Sequence, residues 1–161
     1  MLFHNKLFSK LYTKETIATV IEDWKTNNQK IVFTNGCFDI LHRGHVEYLA
    51  KAKDLGTILI IGLNTDDSVK RLGKAPDRPI NNEGTRAIVL SALECVDAII
   101  LFNEDTPLQL IEFILPNVLV KGSDYKVENI IGYKAVTENG GEVKTIDFVQ
   151  GFSTTSILKK L

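Results

Sequence analysis

Residues 30–45, Lys30-Ile31-Val32-Phe33-Thr34-Asn35-Gly36-Cys37-Phe38-Asp39-Ile40-Leu41-His42-Arg43-Gly44-His45, pass from a short apolar segment through a glycine into the start of an amphipathic stretch. The run 30–34 has the continuous apolarity of a strand covered on both faces. A glycine directly after such a strand, with a helix beginning beyond it, lets backbone N–H groups approach an anion at the positive end of the helix dipole. Phosphate is the anion such a turn suits. His42 and His45 lie three apart at the helix start and can face one side of it. A neutral imidazole donates a hydrogen bond and a protonated one adds charge, which suits a phosphoryl group whose charge grows in a transition state. Metal binding is the rival reading of the pair, but no nearby Cys or third ligand completes a zinc site.

Away from this segment the same alternation repeats. Strand-like runs recur at 57–63, 98–102, 117–120 and 142–146, the first three nearly continuous in apolarity. Helical stretches separate them. Thr13 is a candidate N-cap for a helix over 14–27, with Ile17, Val20, Ile21 and Trp24 at helical spacing. A second helix is expected over 44–55, closed by Gly56 as a left-handed cap, and a third over 82–93. Thr106-Pro107 supplies an N-cap and first-turn proline for 108–115, Gly140-Gly141 closes 130–138, and a short helix over about 153–160 ends the chain. Residues 72–82 read as a surface loop. The pattern predicts an α/β protein with a parallel sheet, organised as one domain with a leading helix at about 13–28 and a core over about 30–161 for which the periodicity permits a doubly wound topology.

Composition narrows the partners. The 161 residues suit one domain, and 19 Lys+Arg against 20 Asp+Glu leave a net charge of -1, so no global field holds nucleic acid or an acidic membrane. Any phosphate must be gripped locally. Cys37 and Cys95 lack the number and spacing of a disulfide framework or zinc knuckle and are assigned to packing. With no secretory apolar segment at the start and no run near the roughly 18 apolar residues of a membrane span, the expectation is a soluble, cytoplasmic protein.

Gly36-Cys37-Phe38-Asp39 followed by His42-Arg43-Gly44-His45 resembles the G-x-F-D-x-x-H-x-G-H motif of the nucleotidyltransferase superfamily that includes glycerol-3-phosphate cytidylyltransferases and phosphopantetheine adenylyltransferases. Gly151-Phe152-Ser153-Thr154-Thr155-Ser156-Ile157 is similar to that superfamily's I-S-T-T segment, where hydroxyls and free N–H groups at a helix start make a second phosphate cradle. Taken alone, the segment reads sooner as an ordinary Ser/Thr N-cap. Segments 33–67, 77–81, 86–97, 104–108, 120–125 and 151–157 resemble, more narrowly, the adenylyltransferases of ADP-heptose synthesis.

The resemblance implies a Rossmann-like fold with a five-stranded parallel sheet in the order 3-2-1-4-5, with a nucleotide at the switch point. It implies transfer of AMP from ATP to D-glycero-β-D-manno-heptose 1-phosphate, with Mg²⁺ held mainly by the triphosphate, a heptose kinase as a separate protein, and a homodimer. His42, His45 and Lys74 would be catalytic. Asn35, Gly36, Cys37, Phe38, Gly44, Arg86, Lys121, Gly122, Asp124, Ser153, Thr154 and Thr155 would bind nucleotide. Asp39 and Lys70 would bind the acceptor, although Asp39 also suits Mg²⁺ or a turn cap, and Lys70 and Arg71 compete with Lys74 for phosphate. Two positions depart from the pattern: Leu158 stands where a basic residue is usual, and Phe152 replaces an isoleucine. Glycerol-3-phosphate cytidylyltransferase, FMN adenylyltransferase and a non-catalytic nucleotide-binding module remain alternatives.

Overall fold

In the computed structural model, which describes residues 2–73 and 77–158, the apolar run after Lys30 is an interior strand of a wholly parallel sheet. The elements in chain order are α1 (Phe3–Phe8), β1 (Leu11–Tyr12), α2 (Lys14–Thr26), β2 (Ile31–Gly36), α3 (Arg43–Lys53), β3 (Ile58–Asn64), α4 (Asp66–Arg71), α5 (Glu83–Ser91), β4 (Ala98–Phe102), α6 (Leu108–Ile114), β5 (Val118–Gly122), a 3-10 turn (Val127–Asn129), α7 (Tyr133–Glu138), β6 (Glu142–Ile146) and α8 (Thr154–Leu158). No helix among the described residues is long and apolar enough to cross a membrane.

Continuous apolarity in the strands follows from having helices on both faces. Ile31, Phe33 and Ile60 point into one core with Ile17 and Ile21 of α2 and Leu110, Ile111 and Ile114 of α6. Their neighbours Val32, Leu59 and Ile61 point the other way, against Leu49 and Ala52 of α3 and Ala87 and Leu90 of α5. Alternate residues of each strand thus serve opposite cores. The helix caps are local. Thr13 and Thr16 close a reciprocal box at the start of α2, with Thr16 N–H donating to Thr13 Oγ1 at 3.2 Å and Thr13 N–H to Thr16 Oγ1 at 2.9 Å.

The sheet has six strands, not five, in the order β1-β4-β3-β2-β5-β6. The five anticipated strands are all present, and the sixth is the two-residue β1 on the outer edge of β4, where Ile99 N–H donates to the Lys10 carbonyl at 2.8 Å. A pair of residues carries no periodicity, so only the ladder bonds reveal it. Two short helices, α1 and α4, were also outside expectation; α4 starts at Thr65, whose hydroxyl accepts from Ser68 N–H at 3.2 Å. The helix expected over 130–138 begins only at Tyr133, after the 3-10 turn and a buried Ile130. Pro107, rather than Thr106, is the N-cap of α6. Gly56 is not a left-handed cap: α3 ends at Lys53, and a Cβ at Gly56 would lie 2.4 Å from the Lys30 carbonyl oxygen. Close passage of the loop over the start of β2 demands that glycine.

Candidate active site

β2 runs out at Gly36, and the chain turns through Cys37–His42 before α3 begins. His42 is the N-cap, in extended conformation and without a side-chain cap bond. The first amides satisfied within the helix are those of His45 and Val46, both donating to the His42 carbonyl at 2.9 and 3.2 Å. Arg43 and Gly44 therefore present the unsatisfied N–H groups of the first turn. Above this turn lies a cleft of about 410 Å³, within the range of small-molecule sites. Asn35, Gly36, Cys37, Phe38 and Asp39 form its floor, with His45 on one side and Lys121, Gly122 and Asp124 from the end of β5 on another.

The two imidazoles are stacked, with ring centroids 3.8 Å apart and planes 18° from parallel. His45 lines the cleft and His42 stands behind it; Phe38 meets His45 edge-on at 5.2 Å. Gly44 makes this stack possible, since a Cβ there would sit 3.1 Å from two His42 ring atoms and 3.2 Å from Phe152 Cβ. Burial pushes the His42 pKa below its ordinary value of 6.5, so its ring is neutral at pH 7. Its Nδ1 has no hydrogen-bond partner among the described residues.

The closing segment docks on the same helix start. Arg43 lies over the Phe152 ring at 5.5 Å, and Thr154 reaches the cleft. Phe152 thus serves as a hydrophobic and cation-π seat for Arg43 at the position expected to hold isoleucine. Phe148 stacks at 6.1 Å on Tyr48, whose hydroxyl shares a hydrogen bond of 2.8 Å with Thr34. Burial pushes the Tyr48 phenol up to about 12, so it stays protonated throughout the working range. Ser153 and Thr155 flank Thr154 without lining the cleft, and Leu158, the last described residue, offers no cation; Lys159 and Lys160 lie outside the described residues.

Two expected ligand-binding residues are held by the protein itself. Asp39 lines the cleft, but its Oδ2 accepts from Arg78 Nε at 2.5 Å and Ile80 N–H at 2.9 Å, and its Oδ1 from Asn81 N–H at 2.8 Å. Burial opposes the charge, yet those amides and the Arg78 guanidinium prevail and hold the carboxyl below its ordinary range. Asp39 thereby clamps segment 78–81 onto the turn after β2. Arg86, expected to grip phosphate, is 1% exposed. It donates to the carbonyls of Asn81 at 3.0 Å, Cys37 at 2.6 Å and Asn64 at 2.8 Å, and to Asp66 Oδ1 at 2.7 Å. The anion opposite this cation is Asp66, and four of its five donors are spent, fastening the turn after β2 to the end of β3, to Asp66 and to Asn81.

Lys121 donates to Asn35 Oδ1 and lines the cleft. Lys70 does not reach the cleft: it is exposed and pairs with Asp67 at 3.3 Å, while Arg71 pairs with Asp105 at 2.7 Å. Lys74 lies outside the described residues. The structure adds Tyr48, Asn64, Leu72, Arg78, Asp105, Pro107, Tyr125 and Phe148 to the lining. Asn64, Asp105 and Tyr125 follow the ends of β3, β4 and β5, so the rule that α/β sheets bind ligands beyond their carboxyl ends could have pointed to them. Nothing in the local sequence marked Tyr48 or Phe148. Among the described residues no three His, Cys, Asp or Glu side chains converge as a metal site.

A parallel sheet with a dipole-facing glycine turn, a histidine pair and a hydroxyl-bearing closing helix around one cleft defines a nucleotidyltransferase architecture. The chain belongs to the cytidylyltransferase-like family, whose model matches residues 33–160. It is 52% identical over 153 residues to the bifunctional protein HldE of Helicobacter hepaticus and 49% identical over 158 residues to that of Geobacter metallireducens, covering 95% and 98% of the chain. These matches cover 30% and 32% of the relatives, so the chain spans about a third of their length. Among solved structures it is similar to the lipopolysaccharide core biosynthesis protein of Thermoplasma volcanium, at 30% identity and TM-score 0.62, covering 75% of this chain and 97% of that one. The pantoate-beta-alanine ligase of Francisella tularensis shares the fold, at 15% identity and TM-score 0.65 over 94% of this chain and 72% of that one.

Proposed function

We propose that this chain joins ATP to D-glycero-β-D-manno-heptose 1-phosphate, releasing pyrophosphate and forming ADP-heptose for surface-glycan synthesis. The observation that carries the reading is the identity of about half to HldE proteins across nearly the whole chain, joined to a cleft built for phosphates. An oxygen of the sugar phosphate attacks the α-phosphorus of ATP in line, the bond from that phosphorus to the bridging oxygen breaks, and pyrophosphate leaves with the electron pair. No covalent enzyme intermediate is needed.

The work of the protein is positioning and charge stabilisation. The Arg43 and Gly44 N–H groups and the dipole of α3 hold the triphosphate. His45 donates to the phosphoryl oxygens as charge develops, with His42 stacked behind it to fix its orientation. Lys121 places a cation where two anionic substrates meet and offsets their repulsion, and Thr154 adds a hydroxyl from the closing segment. Asp39 and Arg86 keep the turn in shape. The cleft suits Mg²⁺ delivered on phosphate, since Asp39 is clamped and the exposed carboxylates lining the cleft are Asp105, paired with Arg71, and Asp124, which would hold the ion. When bound, Mg²⁺ neutralises the departing pyrophosphate.

The test offers the protein Mg²⁺ with ATP or CTP and either heptose 1-phosphate or glycerol 3-phosphate, with pyrophosphate release and product mass as readouts. ADP-heptose from the first pairing is expected. Selective use of CTP with glycerol 3-phosphate would replace this reading with the cytidylyltransferase, and no release from any pairing would favour a binding module.

A further inference from the structure

The main cleft continues into a side arm of about 160 Å³, bounded by the approach to α6 and the 3-10 turn after β5. The arm shares Asp105, Lys121 and Tyr125 with the main cleft and adds Thr106, Asn129 and an isoleucine floor. It is smaller than the roughly 300–1,000 Å³ of a complete ligand site, so it is a branch that takes part of a substrate.

Its chemistry is lopsided. The cation Lys121 stands at the junction with the turn after β2, and beyond it the arm carries no positive charge, only a carboxylate, the hydroxyls of Thr106 and Tyr125 and a carboxamide over an apolar floor. A phosphate has no partner inside, whereas a sugar ring has acceptors and donors for its hydroxyls and an apolar surface for its C–H face. Arg71 takes only Oδ1 of Asp105. Among the described residues the Thr106 hydroxyl and the Asn129 carboxamide make no hydrogen bond. The arm lies on the α6 face of the sheet, opposite the α3 face where Tyr48 and Thr154 border the main cleft.

We propose that this arm is the sugar subsite of the acceptor: the phosphate sits at Lys121 beside His45, and the ring extends between Asp105, Thr106 and Asn129, leaving the α3 side to the nucleoside. The proposal rests on the reading of the chain as a sugar-phosphate nucleotidyltransferase and adds which side each substrate takes.

Asn129→Ala and Thr106→Val test it in the full chain; both residues are exposed, and unchanged melting curves confirm folding. Each variant is expected to raise KM for heptose 1-phosphate about three- to tenfold, the value of one neutral hydrogen bond, with KM for ATP unchanged. Calorimetric binding of heptose 1-phosphate to wild type and variants reads the arm without turnover, and the same loss is expected there. A rise in KM for ATP instead, or equal binding of the sugar phosphate by wild type and both variants, or none by wild type, overturns the subsite. Wild type that binds the sugar phosphate but releases no pyrophosphate counts against the proposed function alone.

Discussion

His42 and His45 have different surroundings although they are stacked and share a motif. His45 borders the cleft, while His42 is neutral because its surroundings desolvate it. Its lowered pKa has a stability consequence of definite sign. Below 6.5 the unfolded chain takes up the proton first, so acid destabilises the fold between 6.5 and the depressed folded value, and the effect vanishes above 6.5. Nuclear magnetic resonance should show His42 titrating below 6.5 in the free protein and moving upward when a non-hydrolysable ATP analogue is bound, because nearby phosphate favours the charged ring. A titration unaffected by the analogue would separate His42 from the phosphates. Asp39 behaves oppositely. Its folded pKa is depressed, so its contribution is fully present above about 4 and is lost as the pH falls through the depressed value. Asp39→Asn leaves the Arg78 charge unpaired and turns an amide toward two backbone donors, so urea unfolding should show a loss of about 3–5 kcal/mol.

The strands and most helices were legible because their signals are local. β2 to β5 announce themselves by nearly continuous apolar runs, α2 by Thr13 ahead of an apolar stripe, and α5 by its stripe alone, its Asn82 cap emerging only in the structure. Short elements stabilised by distant partners were not. β1 exists through its ladder with β4, and α4 is held by Ser68 and Arg71 bonding to the segment after β4. The floor of the cleft, Asn35 to Phe38 with His45, was readable from one contiguous motif. The roles of Asp39 and Arg86 were not, because each is satisfied by groups far away in sequence that no spacing displays. Gly44 shows how tightly α3 and the closing segment depend on each other. Gly44→Ala inserts a Cβ against the His42 ring and Phe152. It should lower kcat/KM on the order of 10²-fold by displacing the histidine stack, with helix content unchanged by circular dichroism.

Across the whole molecule the cleft lies where the doubly wound sheet changes direction, between β2 and β5, so the ends of both strands converge on it without any excess of positive charge in the chain. The net charge of -1 is consistent with this economy. Of the cations considered from sequence, Lys121 faces the cleft, Arg86 is a buried fastening, and Lys70 and Arg71 are engaged at the surface. The proposed catalysis therefore rests on His45 in the first turn of α3. The decisive measurement is pyrophosphate release from ATP and heptose 1-phosphate by wild type and His45→Ala. A fall in kcat of about 10²–10³-fold, with the melting temperature retained, is expected for loss of one donor to a developing phosphoryl charge. Turnover by His45→Ala close to that of wild type would contradict the account.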